Sequence, residues 1–205
     1  MFKKIFYYIS RIFYFTSRII YYVTPREFKI RERDLNQLTK YIDNENAKNS
    51  FNYFKDIFKQ SVLFTSRHEI REYAIKKACS VDKNHEFFYL EFGVFQGTSA
   101  NFFSKYVKKL FAFDSFVGLR EDWVGHSLPK GHFNLNKKIP KLNSNIEPVV
   151  GFVQDTLEDF LVKHNPSINF VHLDMKTYSS TKFTLEKIKP YLRKDAIIIF
   201  NQLYN

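Results

Sequence analysis

The sequence predicts an α/β fold, a parallel sheet flanked by helices and preceded by a helical N-terminal extension. Three observations carry this. From residue 87 onward, short apolar runs alternate with stretches of helical periodicity. The runs stop at polar residues, among them Glu91, Asp114, Asp174 and Asn201. The first run leads into a turn with two glycines, Gly93 and Gly97, before helix-compatible sequence resumes. Open parallel sheets bind ligands outside the carboxyl ends of their strands, so these polar residues are the first candidates for a site.

The 205 residues suit one domain with an appendage. The single cysteine, Cys79, excludes an intramolecular disulfide and reads as a small core residue on a helix. The net charge of +11 is uneven: residues 1–33 hold eight Lys and Arg against Glu27 and Glu32, a local +6, and the rest of the chain carries only +5. No nucleic-acid recognition motif accompanies this charge, so a nucleic-acid partner is not expected.

Residues 1–33 form a basic, aromatic segment. Within 1–23, apolar side chains from Phe2 to Val23 fall close to helical spacing, Lys4, Arg11 and Arg18 recur every seven residues, and five tyrosines fill the flanks. An amphipathic helix of this kind suits a membrane interface; it equally suits packing on its own domain or on a second subunit. Arg11 and Arg18 argue against a membrane span, and no uninterrupted apolar core marks a secretory signal. A cytoplasmic protein with access to the inner membrane surface is the expectation. Residues 34–82 form a helical cap region, with helical segments at 34–48 and 50–63 and a third helix after the capping-box pair Ser66 and Glu69. That third helix is expected to bury Ile70, Tyr73, Ala74 and Ala78.

The α/β domain spans 83–205. Strands are expected at 87–92, 110–113, 147–151, 169–173 and 196–200, and helices at 98–107, 156–164 and 179–191. The loop 115–145, with Gly118, Gly125, Pro129, Gly131 and Pro140, is long enough to read as functional. At the first strand's end, Glu91 is placed to accept hydrogen bonds from a ligand. Gly93 and Gly97 allow close backbone approach, and Thr98 or Ser99 can cap the next helix. The spacing E-x-G-x-x-x-G does not fit the G-x-G-x-x-G dinucleotide fingerprint, which disfavours a nicotinamide oxidoreductase.

Four segments in order carry a more specific signal: Glu91-Phe-Gly-Val-Phe-Gln-Gly-Thr-Ser99, Phe113-Asp-Ser-Phe-Val-Gly-Leu119, Gly151-Phe-Val-Gln-Asp-Thr-Leu157, and His172-Leu-Asp-Met-Lys-Thr-Tyr178 running on to Asn201-Gln202. Together they resemble the macrocin O-methyltransferase (TylF-like) family, a group of class I methyltransferases with a Rossmann-like sheet. These use S-adenosylmethionine (SAM) to methylate hydroxyls, notably of sugars. The resemblance covers about residue 66 to the C-terminus.

It implies a SAM site built from Glu91, Gly93, Gly97, Thr98, Ser99, Asp114, Ser115 and Asp155. Asp114, 17 residues after Gly97, would accept the ribose hydroxyls, and Asp155 would lie near the adenine amino group. Trp123 and the 115–145 loop would cover the site. The acceptor is a small-molecule hydroxyl. Asp174 is the candidate base, His172 an auxiliary base and Lys176 a further catalytic candidate.

The family pattern also implies a divalent cation such as Mg²⁺, held by carboxylates after the fourth and fifth strands. Here D-x-D-x-Y reads Asp174-Met-Lys176-Thr-Tyr178, and the later acidic pair reads Asn201-Gln202. A metal site on Asp174, Asn201 and Gln202 is therefore expected to be weak or lost. Three outcomes follow: Asp174 acts as base without metal, Lys176 supplies the missing positive charge, or SAM binding persists without transfer, in a protein that binds SAM or a partner. The class I fold usually adds two antiparallel strands after the fifth, whereas this sequence stops at Asn205, so the expectation is either a truncated form or a sheet edge completed otherwise, with a homodimer or poor solubility as the consequence of an exposed edge.

Overall fold

The computed structural model describes residues 30–124 and 128–201. The expected membrane-surface helix at 1–23 and the candidate ligand Gln202 lie outside the described residues. The described residues fall into two compact units, one ending at residue 61 and the other beginning at residue 62.

In the first unit, helix α1 (Ile30–Phe58) joins the two expected helical segments into one. The Asn-rich junction around Asn44, Asn46 and Asn49 contains no Pro or Gly, so nothing breaks the backbone ladder there. The helix stops at Phe58, short of the expected residue 63, and no described helix is long and apolar enough to cross a membrane.

The second unit opens with α2 (Arg67–Cys79). Ser66 caps it by accepting the Glu69 N–H at 3.2 Å, while the Glu69 carboxylate reaches back to the N–H and hydroxyl of Thr65. The buried stripe is Ala74, Ile75 and Ala78, with Arg71 one turn before it, whereas Ile70 and Tyr73 are exposed, contrary to expectation. The i, i+3, i+4, i+7 face runs through 71, 74, 75 and 78 and leaves 70 and 73 at its edge. Burial pushes the Cys79 thiol up, which keeps it protonated and fits its role as a packing residue.

Five strands form one parallel sheet: β1 (Phe88–Phe92), β2 (Leu110–Asp114), β3 (Ile146–Val150), β4 (Ile168–Leu173) and β5 (Leu192–Phe200), in the order β3-β2-β1-β4-β5. The helices are α3 (Thr98–Phe103), α4 (Val153–His164) and α5 (Tyr178–Ile188), the last followed by a 3₁₀ turn at Lys189–Tyr191. Alternation along β1 sends Tyr89 into a core that includes Ala74 and Phe103, and sends Leu90 and Phe92 into a second core with Leu157, Phe160 and Ile188. Helices therefore cover both faces, as a parallel sheet requires.

Several boundaries differ from expectation, among them those of α4, α3 and β5. α4 begins at Val153 with Phe152 as N-cap, three residues early, which puts Asp155 in the helix's first turn. α3 closes at Phe103 rather than 107. β5 starts at Leu192 because an irregularity, with Asp195 at φ 66°, lets four further residues precede the expected run. Pro148 sits within β3 at the sheet's edge, where a missing N–H is tolerated.

β1 is the point where strand order reverses: β2 and β3 follow to one side, β4 and β5 lie to the other. The crevice outside the carboxyl ends of β1 and β4 is where such sheets bind ligands.

Candidate active site

At that crevice Gly93 turns away from β1 with φ +87°. A Cβ there would stand 2.7 Å from the Asp174 carbonyl oxygen, so only glycine lets the end of β1 abut the end of β4. The backbones are pinned together by Asp174 N–H donating to Phe92 O at 2.8 Å, and Gly93 N–H donating to Phe113 O at 2.9 Å.

A cavity of about 220 Å³ opens over this junction. Gly93, Asp114, Ser115, Asp174 and Lys176 line it, as the sequence suggested. Its apolar walls include Phe95, Leu119, Phe133, Phe152 and Met175, which the sequence reading did not select. Phe95 and Phe133 meet edge to face at 5.3 Å, both with positive φ, a conformation bulky residues seldom adopt outside functional sites. A larger hollow of about 380 Å³ lies at the amino ends of β1 and β2, lined by Asp82, Phe88, Phe111 and His164; neither the glycine turn nor Asp174 reaches it.

The 115–145 loop folds back over the cavity. Val117 bridges Asn134, and Leu119 exchanges backbone hydrogen bonds with His132 and Gly131. At Gly118, with φ +85°, a Cβ would lie 2.3 Å from His132 O, so the two passes of the loop could not close on any other residue. Arg120 donates to Gln154 Oε1 at 3.3 Å and to Asp155 Oδ1 at 3.2 Å, and Glu121 accepts from Ser179 Oγ, which ties the loop to α4 and α5. Trp123 sits with its ring 5.8 Å from the Lys176 ammonium.

Asp114 is more occupied than its expected role allows. Its Oδ2 accepts the Val94 and Phe95 N–H groups and its Oδ1 the Phe116 N–H, each at 2.8 Å. A carboxylate offers about four lone-pair sites. One remains, enough for a single ribose hydroxyl rather than a pair.

Several expected ligand contacts fall elsewhere. Glu91 is fully buried, because β1 continues to Phe92 and holds it inside the ladder between Ala112 and His172. Its Oε1 accepts from Ser99 Oγ and pairs with His172 Nδ1 at 3.0 Å, and His172 is also fully buried. His172 thus cannot reach an acceptor as auxiliary base. Gly97, in the left-handed region, is itself the N-cap of α3, so neither Thr98 nor Ser99 caps it; Ser99 points inward to Glu91 and Thr98 is exposed. Gly97 packs under Leu142, whose Cδ2 lies 2.6 Å from where a Cβ would be. Asp155 is paired with Arg120 and does not line the cavity.

The last cluster surrounds Asp174. Lys176 Nζ is ion-paired with Asp174 Oδ1, and Asn201 Nδ2 donates to the same oxygen at 2.8 Å. Asn201 Oδ1 in turn accepts from Arg71 at 3.3 Å. The amide's orientation is forced: turned over, it would set its oxygen against a carboxylate and its NH₂ against a guanidinium, which only donates. Asn201 therefore gives no oxygen to a metal at Asp174. A hard divalent cation takes six or more oxygen ligands. Here it would meet one carboxylate already carrying an ammonium, and no group of three or more metal-ligating His, Cys, Asp or Glu side chains exists among the described residues. Among the described residues, this cluster does not fit Mg²⁺.

Comparison with known proteins bears on this geometry. A family model described as a methyltransferase domain matches residues 90–202, more than half of the chain, including the carboxyl ends of the crevice strands. The chain belongs to this methyltransferase family. As a member it is a SAM-dependent methyltransferase, and its fold is shared more widely. The crystal structure of CalS11, a calicheamicin methyltransferase, is similar with a TM-score of 0.54 and 22% identity over 88% of this chain and 79% of that one. An apo structure of CalS11, described as a TDP-rhamnose 3'-O-methyltransferase, gives 0.47 and 20% over the same shares. No curated protein matches the sequence.

Proposed function

We propose that this methyltransferase transfers a methyl group from SAM to a hydroxyl of a small molecule, a sugar or a similar metabolite, in the manner of the macrocin O-methyltransferases. The observation that carries the reading is the single cavity where the Gly93 turn, Asp114 and the Asp174–Lys176 pair converge at the carboxyl ends of β1, β2 and β4.

The donor side fits SAM. Phe152, Leu119 and Met175 give apolar walls for a nucleoside, Gln154 adds a carboxamide, and Asp114 and Ser115 add polar groups at the end of β2. Bound SAM supplies an electrophilic methyl on a sulfonium. The chain's own task is to align the acceptor oxygen with that methyl and take up its proton. Asp174 is the carboxylate for that role, since it lines the cavity and both its protein partners are on Oδ1. Asp174 Oδ2 has no partner among the described residues.

Titration calorimetry with SAM is the direct test. Saturable binding is expected, weakened when Asp114 is replaced by Ala; no heat of binding at millimolar SAM would sink the reading. Labelled SAM offered with a panel of sugar hydroxyls then separates transfer from binding without turnover, a second reading that the ion pair on Asp174 keeps in view.

A further inference from the structure

We infer that Lys176 is the resident cation of this site, so that methyl transfer here is metal-free and proceeds between Asp174 Oδ2 and the Lys176 ammonium. The inference rests on the methyl-transfer reading above and deepens it by assigning the charge that stabilises the acceptor oxygen.

The placement of the ammonium is the first argument. Lys176 follows Asp174 by two residues on the segment leaving β4, and its Nζ returns to Asp174 Oδ1. Its side chain is only 17% exposed and that of Asp174 21%, so the pair sits at the cavity wall and not in bulk water. Charges in such a setting act more strongly than they do in solvent. The Trp123 ring, 5.8 Å away, flanks the ammonium from the loop side.

The second argument is directional. An ammonium has three N–H donors and no acceptor. One of these is spent on Asp174, which leaves donors for an oxygen in the cavity. Arg71 fixes Asn201, and Asn201 fixes Asp174 Oδ1. Arg71 and Asn201 are positioning residues: they occupy one carboxylate oxygen and leave the other for a hydroxyl proton. Counting Arg71, Lys176 and Asp174, the cluster holds two positive charges against one negative, which suits an oxygen that gains negative charge as it reacts.

The step balances. The acceptor oxygen uses a lone pair to form the O–CH₃ bond. The S–CH₃ bond breaks with its electron pair left on sulfur, which turns the sulfonium into a neutral thioether. The hydroxyl proton passes to Asp174 Oδ2, and the ammonium donates a hydrogen bond to the oxygen throughout without losing its own proton.

The test uses the full chain and Mn²⁺ as probe, read by electron paramagnetic resonance, which depends on neither SAM nor an acceptor. The natural protein should leave the free Mn²⁺ signal undiminished at millimolar protein. The double variant Lys176→Asp with Asn201→Asp, which replaces the ammonium and the amide by carboxylates, should bind the ion. Binding by the natural protein that disappears in Asp174→Asn would overturn the inference. So would a double variant that folds, by circular dichroism, yet binds no Mn²⁺, because Lys176 would then not occupy a cation position. With any acceptor that turns over, a chelator should leave the rate unchanged. Lys176→Met should lower the rate by about 100-fold or more, with SAM affinity within a few-fold, and Lys176→Arg should keep part of it; a Lys176→Met variant as fast as the natural protein also overturns the assignment. Absence of SAM binding would defeat the methyl-transfer reading while leaving the Mn²⁺ result to stand on its own.

Discussion

Glu91 and Asp174 stand at the ends of neighbouring parallel strands, and each has a nitrogen partner, yet one is sealed and the other open. Glu91 is wholly buried with His172 beneath the glycine turn. Asp174, two residues beyond His172 along the chain, keeps 21% of its side chain exposed and faces the cavity. The first cluster holds the turn in place; the second meets whatever the turn makes room for. Position at a strand end does not separate these roles. What separates them is whether the next residue still belongs to the ladder: Phe92 does after Glu91, whereas β4 has already ended at Leu173.

Replacement of each carboxylate by Ala tests the contrast most strongly. Glu91→Ala strands a buried imidazole and should cost about 3–5 kcal/mol in urea unfolding. Glu91 Oε2 and His172 Nε2 have no partner among the described residues, so burial of the pair rests on the Glu91–His172 contact and the Ser99 hydroxyl, both at Oε1. Asp174→Ala removes a carboxylate that borders an open cavity, leaves Lys176 a path to water there, and should cost clearly less than Glu91→Ala while abolishing transfer. Equal losses from the two variants would erase the distinction.

Gly93 links the clusters, and Gly93→Ala should show it at intermediate size. A Cβ 2.7 Å from the Asp174 carbonyl must push the strand ends apart. We expect a stability loss above about 1 kcal/mol, with weaker SAM binding by calorimetry, since the cavity floor moves. A variant of natural affinity would mean that the junction does not shape the donor site.

Glu147 supplies the exposed end of the series and the smallest effect. Its side chain is 44% exposed and pairs with Lys109 at 2.5 Å. The hydrogen bond from Lys109 holds its carboxyl below the usual value of 4.5, despite an opposing effect of burial. A folded-state pKa below the unfolded one adds stability that is present at neutral pH and fades as pH falls through the folded value. Lys109→Ala should therefore lower stability at pH 7 by at most about 1 kcal/mol, with no difference from the natural protein once Glu147 is protonated well below pH 4. A difference that persists there would assign the effect to packing of Lys109 on Phe111 instead.

Much of this architecture is legible in the sequence because apolar runs and polar stops are local signals. The strand ends at Asp114 and Asp174, the turn at Gly93 and the long loop over the site are all read from neighbouring residues. The misreadings share a different origin. Glu91 lies inside the expected 87–92 strand, and only its pairing with His172 across the ladder shows that its side chain is held in the core. Asp155 moves because α4 starts on Phe152, which has no capping side chain to announce it. Phe95 and Phe133 adopt backbone angles that nothing in a Phe suggests, fixed by Asp114 on one side and the folded loop on the other. The Arg71–Asn201–Asp174 chain joins residues 130 positions apart, beyond any local pattern. Within the Asp174 cluster, Lys176 and Asn201 in place of acids did carry a sequence signal, since a changed charge inside a recognised motif is visible without coordinates.

Pro148 bears on a different matter, the solubility of the folded protein. A parallel sheet that ends in an open strand offers a row of donors and acceptors on which another chain can grow. With proline in β3, that row lacks a donor at the middle of a five-residue strand. An incoming strand would break register after two residues on either side, too short a grip to nucleate a fibril. This margin of the sheet is thus protected by one imino acid, and a Pro148→Val exchange that left the fold intact would be expected to give a protein more prone to aggregate.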